Sequence, residues 1–192
     1  MLTLKEQKAV LRQKMLAGRN RLNTAQVSGA GKEIWKKLKK LDCFKKARTV
    51  MFYISAKKEV DTHFMIKRSM DMDKEIVVPY VTKKGISVSL LNDFDSDLAE
   101  GCFGIPEPKK GCKRRIPYKD IELVIIPAVA FDMNGSRLGF GKGYYDKFLK
   151  RMPLRAKFVG IGYDFQILKK LPKEKHDILM DMILTERRVV RT

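Results

Sequence analysis

Four short, nearly continuous apolar runs most constrain how this chain can fold. They are Thr49-Val-Met-Phe-Tyr-Ile-Ser55, Glu75-Ile-Val-Val-Pro79, Glu122-Leu-Val-Ile-Ile-Pro127 and Phe158-Val-Gly-Ile-Gly162. Runs of this length that do not alternate with polar residues read as strands covered on both faces, which is the signature of a parallel sheet between helices. Amphipathic stretches are expected between and around them: helices over 4–22, 25–41, 62–72 and 142–151. Ile86-Ser-Val-Ser-Leu90 alternates as a further strand, a late strand lies near 188–190, and 92–120 is rich in loops. Strands alternating with helices predict an α/β fold, a three-layer α/β/α arrangement with a mostly parallel central sheet and N-terminal helices. The chain has neither an internal repeat nor a low-complexity linker, and its 192 residues are expected to form one domain, 1–192.

The first helix opens on a capping box, Thr3-Leu-Lys-Glu6. Leu4, Leu11, Met15 and Leu22 recur on one side of a 3.6-residue turn, and Lys5, Lys8 and Arg12 are expected on a different face. In the second helix Ile34, Trp35, Leu38 and Leu41 form the apolar stripe.

Charge supplies the next constraint. Forty-one Lys and Arg against 22 Asp and Glu give +19, of which residues 1–48 carry +11 (14 cations, 3 anions). A second knot, 109–115, holds five cations in seven residues. A polyanionic partner or a solvated surface would each account for this balance. The basic stretches lack the interleaved aromatics on which nucleic-acid bases stack, and they match no nucleic-acid-binding motif, so a specific nucleic-acid partner is not expected. A nucleic-acid-binding protein is the rival reading, and a sugar-phosphate enzyme of similar fold is a third. No apolar run reaches the ~20 residues of a membrane-spanning helix. The first residues lack a signal-peptide pattern, and the three cysteines (Cys43, Cys102, Cys112) are an odd set without a C-x-x-C pair. A cytoplasmic location with reduced thiols and no membrane partner is expected.

The residues most able to carry chemistry lie in Asp132-Met-Asn-Gly-Ser-Arg-Leu-Gly-Phe-Gly-Lys-Gly-Tyr-Tyr-Asp146, after the strongest strand. Gly139, Gly141 and Gly143 free the backbone for close approach of a ligand, while Arg137 and Lys142 add cations. The segment is neither a Walker A loop nor a dinucleotide fingerprint; phosphate binding and a purely structural turn both remain open. Asp146 could serve Mg²⁺, which takes one or two carboxylates beside phosphate oxygens, or it could complement a helix dipole. Glu59 and Asp61 follow the first strand, where α/β sheets hold polar ligands; helix capping suits Asp61 better than Glu59. His63 and His176 share no metal-ligand spacing, and Asp177 and Asp181 lie one turn apart without local reason to be ligands.

Asn134 to Asp146 resembles the signature of the 5-formyltetrahydrofolate cyclo-ligase family, also called 5,10-methenyltetrahydrofolate synthetase. The resemblance extends to Lys8-Ala-Val-Leu-Arg12, Ser55-x-x-x-Glu-Val-Asp-Thr62, Val78-Pro79, Gly104-Ile-Pro-Glu-Pro108 and His176-Asp177 with Asp181. It implies an ATP- and Mg²⁺-dependent ligase that converts 5-formyltetrahydrofolate to 5,10-methenyltetrahydrofolate, releasing ADP and phosphate. By the same resemblance Lys8 and Arg12 contact ATP phosphates. Arg137, Leu138, Gly139, Phe140, Gly141, Lys142, Gly143, Tyr144 and Tyr145 wrap the triphosphate, with Lys142 and Tyr144 as the catalytic pair. Ile54, Glu59, Phe103, Gly141, Tyr144 and Tyr145 meet the folate, polyglutamylated forms included. Asp146 and Asp177 hold the metal, and the enzyme is expected as a monomer or weak dimer. Two positions depart from the family pattern: Phe140 stands where relatives often carry Tyr or a cation, and Phe103 where some have Trp. Replacing Asp146 or Lys142 by alanine is expected to abolish turnover and leave thermal stability nearly unchanged.

Overall fold

A computed structural model describes residues 2–101, 104–172 and 177–192. In chain order the elements are α1 (Leu4–Asn20), α2 (Thr24–Leu38), α3 (Asp42–Lys46), β1 (Thr49–Phe52), α4 (His63–Met70), β2 (Glu75–Thr82) and β3 (Gly85–Leu91). There follow β4 (Leu98–Glu100), β5 (Pro106–Pro108), β6 (Leu123–Pro127), β7 (Ala130–Asp132), β8 (Arg137–Leu138) and α5 (Tyr144–Leu149). The last elements are β9 (Lys157–Ile161), β10 (Ile167–Leu168), β11 (Met182–Leu184) and β12 (Val189–Arg191).

Seven strands form the main sheet in the order β12-β11-β9-β6-β1-β2-β3. Its five central strands run parallel, and β3 and β12 pair antiparallel at the two edges. The apolar runs are explained by burial on both faces. Val50 and Phe52 of β1 and Leu123 and Ile125 of β6 point to one cluster, where Ile34, Trp35 and Leu38 of α2, Phe44 of α3 and Met65 and Ile66 of α4 pack. Met51, Val124 and Ile126 point the other way, to Phe148 and Leu149 of α5. This is the expected three-layer arrangement, with period-two alternation along each strand feeding two cores. Trp35 meets Phe44 and Phe64 edge to face, at centroid distances of 5.5 and 6.2 Å.

A second, three-stranded sheet, β10-β7-β8, lies beside the main one. Here α1 packs: Met15, Val129, Ala130, Leu138 and Leu171 form a third cluster, with Leu11 and Leu16 at its edge. Leu4, expected on the buried side, is 40% exposed. The apolar side of α1 begins about two turns later, at Leu11, where the helix packs on the small sheet. The separate cationic face also fails to form: Lys8 and Arg12 are half-buried beside Leu11 and Met15, and only Lys5 faces water.

Other differences are local. The helix expected over 142–151 is the six-residue α5. The loop-rich 92–120 contains the short antiparallel pair β4–β5. The strands β7, β8 and β10 are two or three residues long, too short for a periodicity signal.

In the main sheet the chain goes from β1 to β2 on one side and later returns to β6 on the other. That reversal opens a crevice beyond the carboxyl ends of β1 and β6, the usual ligand position in open α/β sheets.

Candidate active site

The crevice is lined by Arg19, Tyr53, Glu59, Pro127, Ala128 and Gln166, among others. They come from four pieces of the fold: α1, the segment after β1, the end of β6 with the residue after it, and the turn before β10. The segment after β1 folds back through a turn in which Glu59 N–H donates to the Ala56 carbonyl at 3.1 Å, with Lys57 at the left-handed φ of 54°. Three contacts pin it: Tyr53 Oη donates to Val60 O at 3.1 Å, Tyr163 Oη donates to Lys58 O at 3.0 Å, and Lys58 Nζ donates to Leu22 O beyond α1. Glu59 is thereby fixed at the crevice. Its Oε2 accepts from Ala56 N–H at 3.1 Å, and its Oε1 lies 3.4 Å from Arg19 Nη1. Burial raises the Glu59 carboxyl above its ordinary value, opposed chiefly by the charge of Arg19. Gln166 crosses the floor, donating to Val129 O at 2.7 Å and to Ala128 O at 3.2 Å.

The glycine-rich loop forms the other wall. Its base is the β7–β8 hairpin, held by the buried Asp132, which accepts from Asn134 and Ser136 N–H at 2.9 Å and from Leu171 N–H at 2.9 Å. Above it, Gly141 takes φ 97°, a conformation L side chains rarely adopt. A Cβ there would also lie 3.4 Å from the Arg12 guanidinium. Arg12 itself reaches from α1 and donates from Nε to the Gly139 carbonyl at 2.8 Å. One turn earlier on the helix, Lys8 Nζ lies 3.9 Å from Asp177 Oδ2. Arg137 Nη2 donates to Asp146 Oδ1 at 2.6 Å, and its guanidinium stands 5.5 Å from the Tyr145 ring centroid. Lys142 Nζ lies 5.9 Å from the Tyr144 ring.

The polar atoms here are incompletely satisfied. Among the described residues, the buried side-chain nitrogens and oxygens without a hydrogen-bond partner are Arg19 Nε, Ser136 Oγ and Arg137 Nε. All three adjoin the crevice or the glycine loop. Folded chains seldom leave such groups unfilled away from a functional site, because each costs about 1–3 kcal/mol. Five cationic side chains (Lys8, Arg12, Arg19, Arg137, Lys142) thus converge on a glycine-rich loop, with carboxylates between them.

The sequence model of the 5-formyltetrahydrofolate cyclo-ligase family matches residues 4–186. The chain belongs to that family. It is therefore an enzyme, of a family of ligases. A probable 5-formyltetrahydrofolate cyclo-ligase of Caenorhabditis elegans is 27% identical over 97% of this chain and 96% of its own length. The 5-formyltetrahydrofolate cyclo-ligase of Escherichia coli K12 is 31% identical over 74% of this chain and 80% of its own. Among solved structures, the Aquifex aeolicus 5,10-methenyltetrahydrofolate synthetase superposes with a TM-score of 0.85 at 36% identity, covering 96% of this chain and 92% of that one. The Mycoplasma pneumoniae 5,10-methenyltetrahydrofolate synthetase gives 0.73 at 25% identity, over 93% of this chain and 98% of that one.

Of the residues the family pattern points to, the fold brings Lys8, Arg12, Arg137, Gly139, Gly141, Lys142, Asp146 and Asp177 around the loop, and Glu59 to the adjoining crevice. Leu138 is buried among the contacts of α1, and Ile54 lies buried just behind Tyr53. Phe103 and His176 lie outside the described residues. His63 has a structural place: Nε2 lies 2.9 Å from Ser55 O, and its ring packs against Phe94, tilted, at a centroid distance of 5.1 Å. Asp181 anchors Lys157 and Phe158 at the start of β9, away from the crevice. In the 109–115 knot, Lys113 sits 4.3 Å from the Tyr80 ring, Arg114 is bound to Asp97 at 2.7 Å and Lys109 donates to Ser96 O at 2.7 Å. Much of that charge is already neutralised or anchored.

Sequence reading missed Arg19 and Gln166. Arg19 was within reach: it follows Lys8 and Arg12 at spacings of 11 and 7, which return to one side of a helix. Gln166 carries no local signal.

Among the described residues, no helix is long and apolar enough to cross a membrane.

Proposed function

We propose that this chain carries out an ATP- and Mg²⁺-dependent conversion of 5-formyltetrahydrofolate to 5,10-methenyltetrahydrofolate, with ADP and phosphate as the other products. The observation that carries this reading is the docking of the α1 cations onto the glycine loop, Arg12 Nε to Gly139 O at 2.8 Å, in a chain whose family is the cyclo-ligases. A triphosphate needs such a wall of cations and exposed backbone; a structural turn does not.

In this reading Lys8, Arg12 and Lys142 neutralise the triphosphate, and the open backbone of Gly139 to Gly143 lets it approach. The γ-phosphoryl group moves to the N5-formyl oxygen, turning a poor leaving group into a good one. Nitrogen-10 then attacks the activated carbon and closes the ring, its proton is lost, and the C–O bond breaks so that phosphate leaves with that oxygen and takes up the proton. Such a transfer asks the protein for alignment and charge neutralisation, so no side-chain nucleophile is needed. Lys142 and Tyr144 stand nearest the transferred group, Glu59, Tyr145 and Ile54 border the folate, and Arg137 orients Asp146.

Asp146 and Asp177 suit Mg²⁺. Both are partly exposed carboxylates beside phosphate-facing cations, Arg137 and Lys8. Among the described residues no cluster of three side chains forms a closed metal cage. A nucleotide-bound Mg²⁺ uses one or two carboxylates with phosphate oxygens and water, so it needs none. When bound, the ion would neutralise charge on the phosphate oxygens.

The test is direct. Purified protein supplied with 5-formyltetrahydrofolate, ATP and Mg²⁺ should give the methenyl product by absorbance, with one ADP formed per turnover. Failure to form it, with the fold intact by circular dichroism, refutes the assignment. Polyglutamylated substrate is accepted in this reading, with Lys109, Lys110, Lys113 and Arg115 as the exposed cations of the knot.

A further inference from the structure

Arg19 stands at the last turn of α1, 6% exposed, where helix surface would ordinarily meet water or apolar neighbours. It reaches across to Glu59, Nη1 to Oε1 at 3.4 Å. Its Nε is sealed from solvent without a partner. The Phe140 ring, 55% exposed at the tip of the glycine loop, lies 5.6 Å from its Cζ. A buried ion pair contributes little to stability unless its geometry is tight and its remaining N–H groups are filled. This pair is long and half-satisfied, and both partners line the crevice. Its features are those of a site kept ready for a ligand.

We propose that Arg19 is a positioning residue that keeps Glu59 as a charged carboxylate fixed in the crevice, ready to accept the paired N–H groups of an aminopyrimidinone edge on the substrate. The proposal rests on the folate reading above, since the reduced pterin carries such an edge. A carboxylate accepts two parallel N–H bonds; a protonated carboxyl presents an O–H donor to that edge and loses one of them. The surroundings of Glu59 leave the task to Arg19. The groups facing it are Arg19, Lys57, Tyr53, Tyr145 and Tyr163. Burial pushes all three phenols upward, so they stay neutral. Lys57 is exposed at the tip of its turn, where water screens it. Burial drives Glu59 towards its protonated form, and the Arg19 charge is the largest opposing influence.

The experiment compares wild type, Arg19→Met, Arg19→Lys, Glu59→Gln and the Arg19→Met/Glu59→Gln double variant. Two quantities are read: the Glu59 side-chain ¹³C carboxyl titration by NMR, and the dissociation constant for 5-formyltetrahydrofolate as a function of pH. In Arg19→Met the Glu59 titration should move to higher pH. Affinity at neutral pH should fall about 10–100-fold, the scale of a lost charged hydrogen bond, and recover as pH rises. KM should change more than kcat. Arg19→Lys should restore most of the affinity, and Arg19→Met should cost nothing further in the Glu59→Gln background. If wild type turns substrate over while the Glu59 titration is unmoved in Arg19→Met, or affinity is lost equally at every pH, the Arg19 role is overturned alone. If wild type neither binds nor turns over the folate, the functional reading falls and takes the ligand assigned to Glu59 with it.

Discussion

Replacing Asp146 and replacing Lys142 with alanine should both abolish turnover, yet the structure separates their effects on stability. Lys142 lies on the exposed rim of the glycine loop. Truncating an exposed side chain moves stability by about 0.5 kcal/mol or less. Asp146 instead accepts a 2.6 Å bond from Arg137, whose side chain is 4% exposed and whose Nε already lacks a partner. Removing one member of a fully buried pair costs about 3–5 kcal/mol, because the other charge is stranded. The Asp146 side chain is 34% exposed, so water can enter the space it leaves and recover part of that loss. About 1–3 kcal/mol remains. In a domain of this size each kcal/mol moves the melting temperature by about 2–4 °C, so Asp146→Ala should melt roughly 2–12 °C lower while Lys142→Ala shifts by about 2 °C at most. Calorimetry of the two ligand-free variants checks this, and adding Arg137→Met to Asp146→Ala should recover stability by removing the stranded cation. Equal melting temperatures for the single variants, or a further loss in the double, would refute the reasoning.

Other outcomes follow from the same geometry. Arg12→Ala removes a charge-assisted contact to the glycine loop and should raise KM for ATP about 10–100-fold, with a smaller change for the folate, measured by steady-state kinetics. Gly160→Ala would put a Cβ 2.5 Å from the buried Phe131 ring. Overpacking of this kind costs about 1–3 kcal/mol, and Phe131→Leu in the same chain should relieve it, as a thermal double-mutant cycle would show. Asp97 should set part of the acid limit of stability. Burial raises its carboxyl, but Arg114 and the N–H groups of Asn92 and Asp93 outweigh that and hold it at about 2. Its contribution is therefore full above the ordinary aspartate range, about pH 4, and is lost as pH falls towards 2. Asp97→Asn should flatten acid unfolding in that window while melting earlier at neutral pH.

The sequence by itself determined the α/β class, the parallel middle of the sheet and the location of the glycine-rich loop. These are properties of contiguous residues: Val50 to Phe52 or Leu123 to Ile126 cannot be solvated on either face, wherever the rest of the chain lies. It also located Asp146, Lys142 and Glu59 by their position just after strands or beside glycines. Tertiary structure decided how these pieces combine. Whether the cations of α1 face water or the loop depends on the small sheet β10-β7-β8, whose short strands leave no periodic trace and pair across some 35 residues of chain, as Phe131 does with Ile167. Only that packing turned Lys8 and Arg12 inward and made Leu4, formally on the apolar side, a surface residue. Arg19 and Glu59 are 40 residues apart, and neither announces the other. Their meeting at the carboxyl ends of β1 and β6 follows from the reversal in strand order, and long-range pairing, unlike local periodicity, is settled only when the whole sheet closes.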